Sequence, residues 1–113
     1  MIINQASFSQ STQTIFYTTK DGLPSSSIYK SVLDSHGFLW VATDNGIAKF
    51  DGKNFKTYST AQGLPDNEIT DIFIDSNRRI WVTPFRRTAA YYNPVKDRFE
   101  NEETDAELKK VEL

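Results

Sequence analysis

Any catalytic or metal-binding reading of this chain has to begin with histidine, cysteine and serine, and each is absent or badly placed for it. Cysteine is missing altogether, which removes disulfides, thiolate nucleophiles and cysteine-based zinc sites. The only histidine, His36, lies in the run Asp34-Ser35-His36-Gly37. A catalytic imidazole needs a nucleophile or a metal partner at a workable spacing, and the sequence offers neither. His36 therefore reads as a turn residue. The run Ser25-Ser26-Ser27 lacks the glycines and strand–turn–helix context of a nucleophile elbow. The Asp and Asn clusters do not follow EF-hand spacing, and no glycine-rich phosphate loop is present. The expectation is a chain with no catalytic residue, no metal and no cofactor. Arg86 and Arg87 remain as candidate ligand contacts, with Asp44 and Asn45. A guanidinium presents a planar fork that matches carboxylate or sulfate, so contact with an anionic ligand such as an acidic sugar is one reading. A solvated pair, or an interface contact, is the other.

Bulk properties exclude some partners. With 38% hydrophobic and 25% charged residues, the composition is that of an ordinary globular domain, and 113 residues suffice for a modest core. The 8 Phe, 5 Tyr and 2 Trp favour strands, where flat rings pack on a pleated surface. The net charge of −2 is unevenly spread, since residues 100–113 form an acidic tail and the rest is slightly basic. Neither part is extreme enough to imply nucleic acid or a membrane surface as partner. No apolar run approaches the roughly 20 residues of a membrane span. The polar run at residues 4–14 has no apolar centre, so an exported parent would carry its signal outside this sequence.

The elements that must position these residues come from an internal repeat. Gly22-Leu23-Pro24 recurs as Gly63-Leu64-Pro65, a shift of 41. Applied from Tyr17 to Thr43, that shift also aligns Tyr17 with Tyr58, Ile28 with Ile69, Asp34 with Asp75, and Trp40-Val41 with Trp81-Val82. In all, ten of 27 positions are identical, where chance would give about two. Each copy reads as four short strands. These are residues 28–33, 38–43, 47–50 and 55–59 in the first copy, and residues 69–74, 79–83, 89–92 and about 98–100 in the second. Asp-Ser turns close the first hairpin of each copy, and Asp44-Asn45-Gly46 supplies the next turn of the first. Residues 14–18 align with residues 55–59 and so read as an orphan outer strand. Residues 1–13 are then a polar tail. Within residues 100–113, the spacing Thr104-Asp105-Ala106-Glu107 is that of a capping box, and a short helix or a frayed end are the two alternatives.

Four antiparallel strands repeated about every 41 residues describe a β-propeller blade. The expected fold is all-β: two four-stranded antiparallel blades at about residues 22–60 and 63–99, forming a partial propeller or one completed by oligomerisation. The strand at residues 69–74 is apolar on both faces and so needs cover on both. Trp40 and Trp81 are expected in equivalent buried places between blades, and Gly22 and Gly63 at equivalent structural turns. In such a blade the loops after the second and fourth strands share one end. That puts Arg86 and Arg87 on the side of both Gly-Leu-Pro segments and of the Asp44-Asn45 turn.

The run from Gly22 to Ile47, ending Leu39-Trp40-Val41-Ala42-Thr43-Asp44-Asn45-Gly46-Ile47, resembles the two-component regulator propeller repeat, and residues 63–83 resemble it more weakly. The second copy departs where Pro84-Phe85-Arg86-Arg87-Thr88 replaces Thr43-Asp44-Asn45-Gly46-Ile47, and no third Gly-Leu-Pro follows. The resemblance implies a non-catalytic sensor module in the periplasmic or extracellular region of a bacterial regulator. It further implies oligosaccharide as ligand and the remaining blades of a parent propeller, or further copies of this chain, as partners. A propeller enzyme of the streptogramin lyase type, which the repeat resembles distantly, and a purely structural assembly module are the alternatives. The lyase reading requires a histidine–acid pair at a metal-lined channel, and the lone His36 in a turn does not supply one.

Overall fold

The computed structural model describes residues 2–6 and 12–110. Ten strands follow in chain order: β1 (Ile2–Ala6), β2 (Thr12–Phe16), β3 (Ile28–Leu33), β4 (Leu39–Thr43), β5 (Gly46–Phe50), β6 (Phe55–Tyr58), β7 (Ile69–Ile74), β8 (Ile80–Pro84), β9 (Ala90–Asn93) and β10 (Arg98–Glu100). They form two four-stranded antiparallel meanders, β3-β4-β5-β6 and β7-β8-β9-β10, together with a β1-β2 hairpin. The only helical elements among the described residues are short 3₁₀ turns. The all-β, two-blade expectation holds.

The two blades stack face to face. Trp40, Ala42 and Ile47 of the first blade pack against Ile72, Ile80, Val82 and Ala90 of the second, with Tyr58, Leu64 and Phe99 in the same core. Adjacent strand positions point to opposite faces, so Val41 and Ala48 lie on the back of the first blade, under Leu23 and Tyr17. There Tyr17 meets Phe50 and Phe55 at ring distances of 4.8 and 5.4 Å. The arrangement recurs between the blades, where Tyr58 meets Tyr92 and Phe99 at 5.9 and 5.6 Å. A uniform shift of 41 misses this aromatic triad because the second copy carries one extra residue before Tyr92 and two more between Tyr92 and Phe99.

Tyr17 thus stands to the first blade as Tyr58 stands to the second. The strand that leads into Tyr17 is not solitary, however. β2 pairs in antiparallel register with β1, Ile3 opposite Ile15. The N-terminal segment read as a polar tail therefore contains a strand, and the orphan strand read at residues 14–18 has its partner within the chain. The alternation in Ile2-Ile3-Asn4-Gln5-Ala6 is too short and too polar to announce a strand; its pairing comes from β2.

Trp40 and Trp81 are equivalent within their blades but unequal in burial, which corrects the expectation of two buried indoles. Each indole Nε1–H donates to an aspartate, Trp40 to Asp34 and Trp81 to Asp75, both at 2.8 Å. Trp40 is 1% exposed, while Trp81 is only half-buried. The physical reason is position in the stack. Trp40 faces the second blade, and Trp81 faces away from the first, beside Phe73 and Tyr91. That outer face is partly roofed by the C-terminal segment, since the Tyr91 hydroxyl donates to Asp105 at 2.7 Å. A 3₁₀ turn follows at Ala106–Lys110 with Leu108 buried. Asp105, rather than Thr104, caps this turn through the Glu107 N–H.

Gly63 and Gly46 are structural requirements. Gly63 has φ of 95°, and a Cβ there would lie 1.9 Å from the Phe99 carbonyl oxygen. Gly46, at φ of 99°, would place one 2.4 Å from the Tyr58 carbonyl oxygen. Gly22 is looser, with the Phe55 Cβ 3.3 Å from its added carbon.

Candidate functional site

Each blade has two ends, and both carry candidate groups. The entry end holds the Gly-Leu-Pro segments and the loops after β4 and β8. The far end holds the β3–β4, β5–β6, β7–β8 and β9–β10 turns.

At the entry end the two blades keep one backbone arrangement despite divergent sequences. The Asp44 N–H donates to the Ser27 carbonyl in the first blade, and the Phe85 N–H to the Glu68 carbonyl in the second, both at 3.3 Å. Asn45 is committed to structure: its side-chain amide donates to the Pro24 carbonyl at 3.2 Å, and its N–H to Thr43 Oγ1. Asp44 is exposed and makes no side-chain hydrogen bond among the described residues. Arg86 and Arg87 are both exposed. The Arg86 guanidinium lies 5.4 Å from the Phe85 ring centre, and Phe85 itself is 62% exposed. Arg87 borders a groove of about 240 Å³ with Leu64, Pro65, Thr88, Glu102 and Glu103. Glu102 accepts from the Thr88 hydroxyl at 2.9 Å. The two carboxylates outweigh the Arg87 charge in the groove, which argues for a polar ligand over a strongly anionic one there. Phe85 was not singled out by the sequence; an exposed aromatic next to two arginines was the signal available.

At the far end, a cleft of about 480 Å³ opens between the β3–β4 turn of one blade and the β7–β8 turn of the next. Its floor is aromatic and its charge is positive. The Lys49 ammonium sits 4.7 Å from the Phe38 ring centre and 5.4 Å from those of Trp40 and Tyr92. Among the described residues it has no carboxylate partner. Asp34, also at the cleft, is occupied by the Trp40 indole and by the N–H groups of His36 and Phe38. Arg78 and Arg79 line the opposite side, the Arg79 guanidinium turned to the outer face of the second blade, 4.4 Å over the Tyr91 ring. His36 lies at the rim in an exposed turn, and no cluster of three metal-ligating side chains occurs among the described residues.

The turn on the Arg78 side is strained. Its equivalent in the first blade is Gly37, with φ of 87°; Arg78 adopts φ of 65°. A side chain held in this left-handed region costs about 1–2 kcal/mol, which glycine does not incur. The turns are otherwise alike: Asp34 accepts the N–H groups of His36 and Phe38, and Asp75 those of Asn77 and Arg79. These donors, led by the Trp81 indole, hold the Asp75 carboxyl below the usual carboxylate range.

Between the cleft and β6, Asp97 joins the blades. It accepts from the Tyr58 and Tyr92 hydroxyls, both at 2.6 Å, and pairs with Lys56. Burial, with the neighbouring Tyr92, pushes the Tyr58 hydroxyl up. A second bridge links Lys30 to Asp71 at 2.9 Å, and the Tyr29 hydroxyl donates to Glu68 at 3.1 Å.

The profile of the two component regulator propeller matches residues 22–45 and 63–85, one segment in each blade. Each blade therefore resembles the two component regulator propeller repeat over that segment. The extracellular domain of a hybrid two component system from B. thetaiotaomicron superposes with a TM-score of 0.68 and 30% identity, over 77% of this chain and 13% of that one. The extracellular domain of a one component system from the same organism has the same fold, with a TM-score of 0.60 and 23% identity over 66% of this chain and 10% of its own. A histidine kinase of Formosa agariphila is 48% identical over 42 residues, which are 37% of this chain and 3% of the kinase. The chain therefore spans a small fraction of each relative it matches. No helix among the described residues is long and apolar enough to cross a membrane.

Proposed function

We propose that this chain is a non-catalytic part of the exported sensor region of a bacterial two-component regulator, periplasmic or extracellular, and that the complete propeller responds to oligosaccharide. The observation that carries the reading is the match of both blades to the regulator propeller family, together with the likeness to an extracellular domain of a hybrid two component system. The entry-end tip supports the ligand class. A sugar ring stacks on an exposed aromatic such as Phe85, and the guanidinium forks of Arg86 and Arg87 donate to hydroxyl or carboxylate oxygens. Asp44, on the equivalent loop of the first blade, is an exposed acceptor.

Assembly follows from the same geometry. The Trp81 face of the second blade keeps the indole through which the first blade packs on the second, with Thr83 and Tyr91 where the first has Ala42 and Lys49, so the remaining blades of a parent propeller, or a second copy of this chain, would be its natural cover. A glycan screen of the parent's complete sensor region tests the function. Saccharide binding that falls more than tenfold on replacing Arg86 and Arg87 together by Ala is expected, since each charge-assisted hydrogen bond is worth about 1.5–3 kcal/mol. A sensor region that binds no saccharide, or binds it equally well in the double variant, would remove the entry-end tip as the contact.

A further inference from the structure

We propose a second binding site, distinct from the entry-end tip: the far-end cleft takes a small anion borne on a ring, the ring lying against Phe38 and Tyr92 and the acid group meeting Lys49 and Arg78. Three independent features converge on it. The Lys49 ammonium is surrounded by three aromatic rings and lacks a carboxylate among the described residues, a half-buried cation whose charge is answered only by ring faces. The one acid lining the cleft, Asp34, already accepts from an indole and two backbone donors. The facing turn holds Arg78 in a left-handed conformation where the equivalent residue of the first blade is Gly37. Backbone strain retained at the wall of a cleft points to a role for the side chain it presents.

The cleft's composition selects the ligand. A bare inorganic anion would leave the aromatic floor uncovered, and a neutral sugar would leave Lys49 and Arg78 without a counter-charge. A carboxylate or sulfate joined to a sugar or aromatic ring satisfies both. Acidic monosaccharides and aromatic acids share this chemistry, and the test separates them.

The chain has two tryptophans, and only Trp40 borders the cleft, so its indole N–H resonance is a local reporter and that of Trp81 an internal control. Titrations with glucuronic acid, benzoate, glucose and inorganic sulfate are followed by both indole signals. At least one of the two ring-borne anions is expected to move the Trp40 signal saturably, with glucose and sulfate at least tenfold weaker; which anion binds tells sugar from aromatic. Lys49→Met and Arg78→Gly are each expected to weaken that binding about tenfold or more. Arg78→Gly places glycine where glycine is relaxed, so its fold is preserved and it keeps the test decisive if Lys49→Met fails to fold. The proposal is overturned if neither anion moves Trp40, if sulfate or glucose does so equally well, or if Arg78→Gly binds as the parent chain does. Saccharide binding that leaves Trp40 still but depends on Arg86 and Arg87 would sink this site and leave the entry-end tip standing.

Discussion

Replacing each tryptophan in turn by alanine separates position within a blade from position in the stack. Trp40 and Trp81 occupy the same place in their strands and make the same 2.8 Å indole bond to an aspartate, so the hydrogen-bond loss is common to both, about 0.5–1.5 kcal/mol. What differs is the cavity. Trp40 is 1% exposed and lies 4.7–6.1 Å, ring centre to ring centre, from Tyr92, Tyr58 and Phe99. Trp40→Ala therefore leaves a hole lined by rings that cannot collapse into it, and a loss of roughly 3–5 kcal/mol is expected. Trp81 stacks 6.5 Å from Phe73 on the outer face and already meets solvent, so Trp81→Ala is expected to cost about half as much, with no internal cavity. Urea unfolding of both variants, at a low and a high protein concentration, gives the comparison. Equal losses at the low concentration would refute the argument, because the outer face would then be as enclosed as the inter-blade core. Equality at the high concentration alone would show a second molecule covering Trp81.

The other expectations rest on single groups. Gly63→Ala, with its Cβ directed at a backbone carbonyl, should cost more than about 2 kcal/mol, whereas Gly52→Ala, with nothing within 4 Å, should cost only the left-handed penalty of about 1 kcal/mol; urea midpoints distinguish them. Asp97→Asn should cost roughly 1–3 kcal/mol by weakening the acceptor of two tyrosines and a lysine, and its effect should be less than additive with Tyr92→Phe, since both act on one cluster. Asp75 has its carboxyl lowered in the folded chain, first by the Trp81 indole, so its contribution is present above its unfolded value of about 3.9 and is lost as pH falls through the lower folded value. Asp75→Asn should accordingly flatten the decline of the urea midpoint between about pH 5 and 3, and an unchanged decline would count against the assignment.

Much of the fold is legible in the sequence because a blade is built from local signals. Ile28–Leu33 and Ile69–Ile74 are strands with the bounds that their apolar patterns suggest. The Asp-Ser turns are readable because one carboxylate caps two N–H groups and an indole only at that spacing. What the sequence conceals is long-range. The pairing of β1 with β2 depends on a partner rather than on propensity. The unequal burial of Trp40 and Trp81 depends on which blade comes next, which identical motifs cannot encode. Arg86 and Arg87 are visible as departures from the repeat, but the carboxylates of Glu102 and Glu103 that share the groove come from a distant tail. Lys49 looks like an ordinary exposed strand lysine, and only the approach of Phe38 and Tyr92 from two blades makes it unusual.

Where the two copies agree and where they differ divides structure from chemistry. The shared positions are those that close a backbone turn or fill the space between blades: Gly22 and Gly63, Leu23 and Leu64, Asp34 and Asp75, Trp40 and Trp81. Packing density in such a stack leaves little room for substitution, so these positions repeat. Among the differences, two fall at the blade ends, where Gly37-Phe38 becomes Arg78-Arg79 and Asp44-Asn45 becomes Phe85-Arg86. Neither change improves the blade. Arg78 adds backbone strain, and Phe85 exposes an aromatic ring to water. Both ends gain arginine in the second copy, Arg78 and Arg79 at one and Arg86 at the other. Local stability given up at both rims of a repeat is what contact with something outside the blade would explain, and the Arg78→Gly and Arg86/Arg87 variants test it.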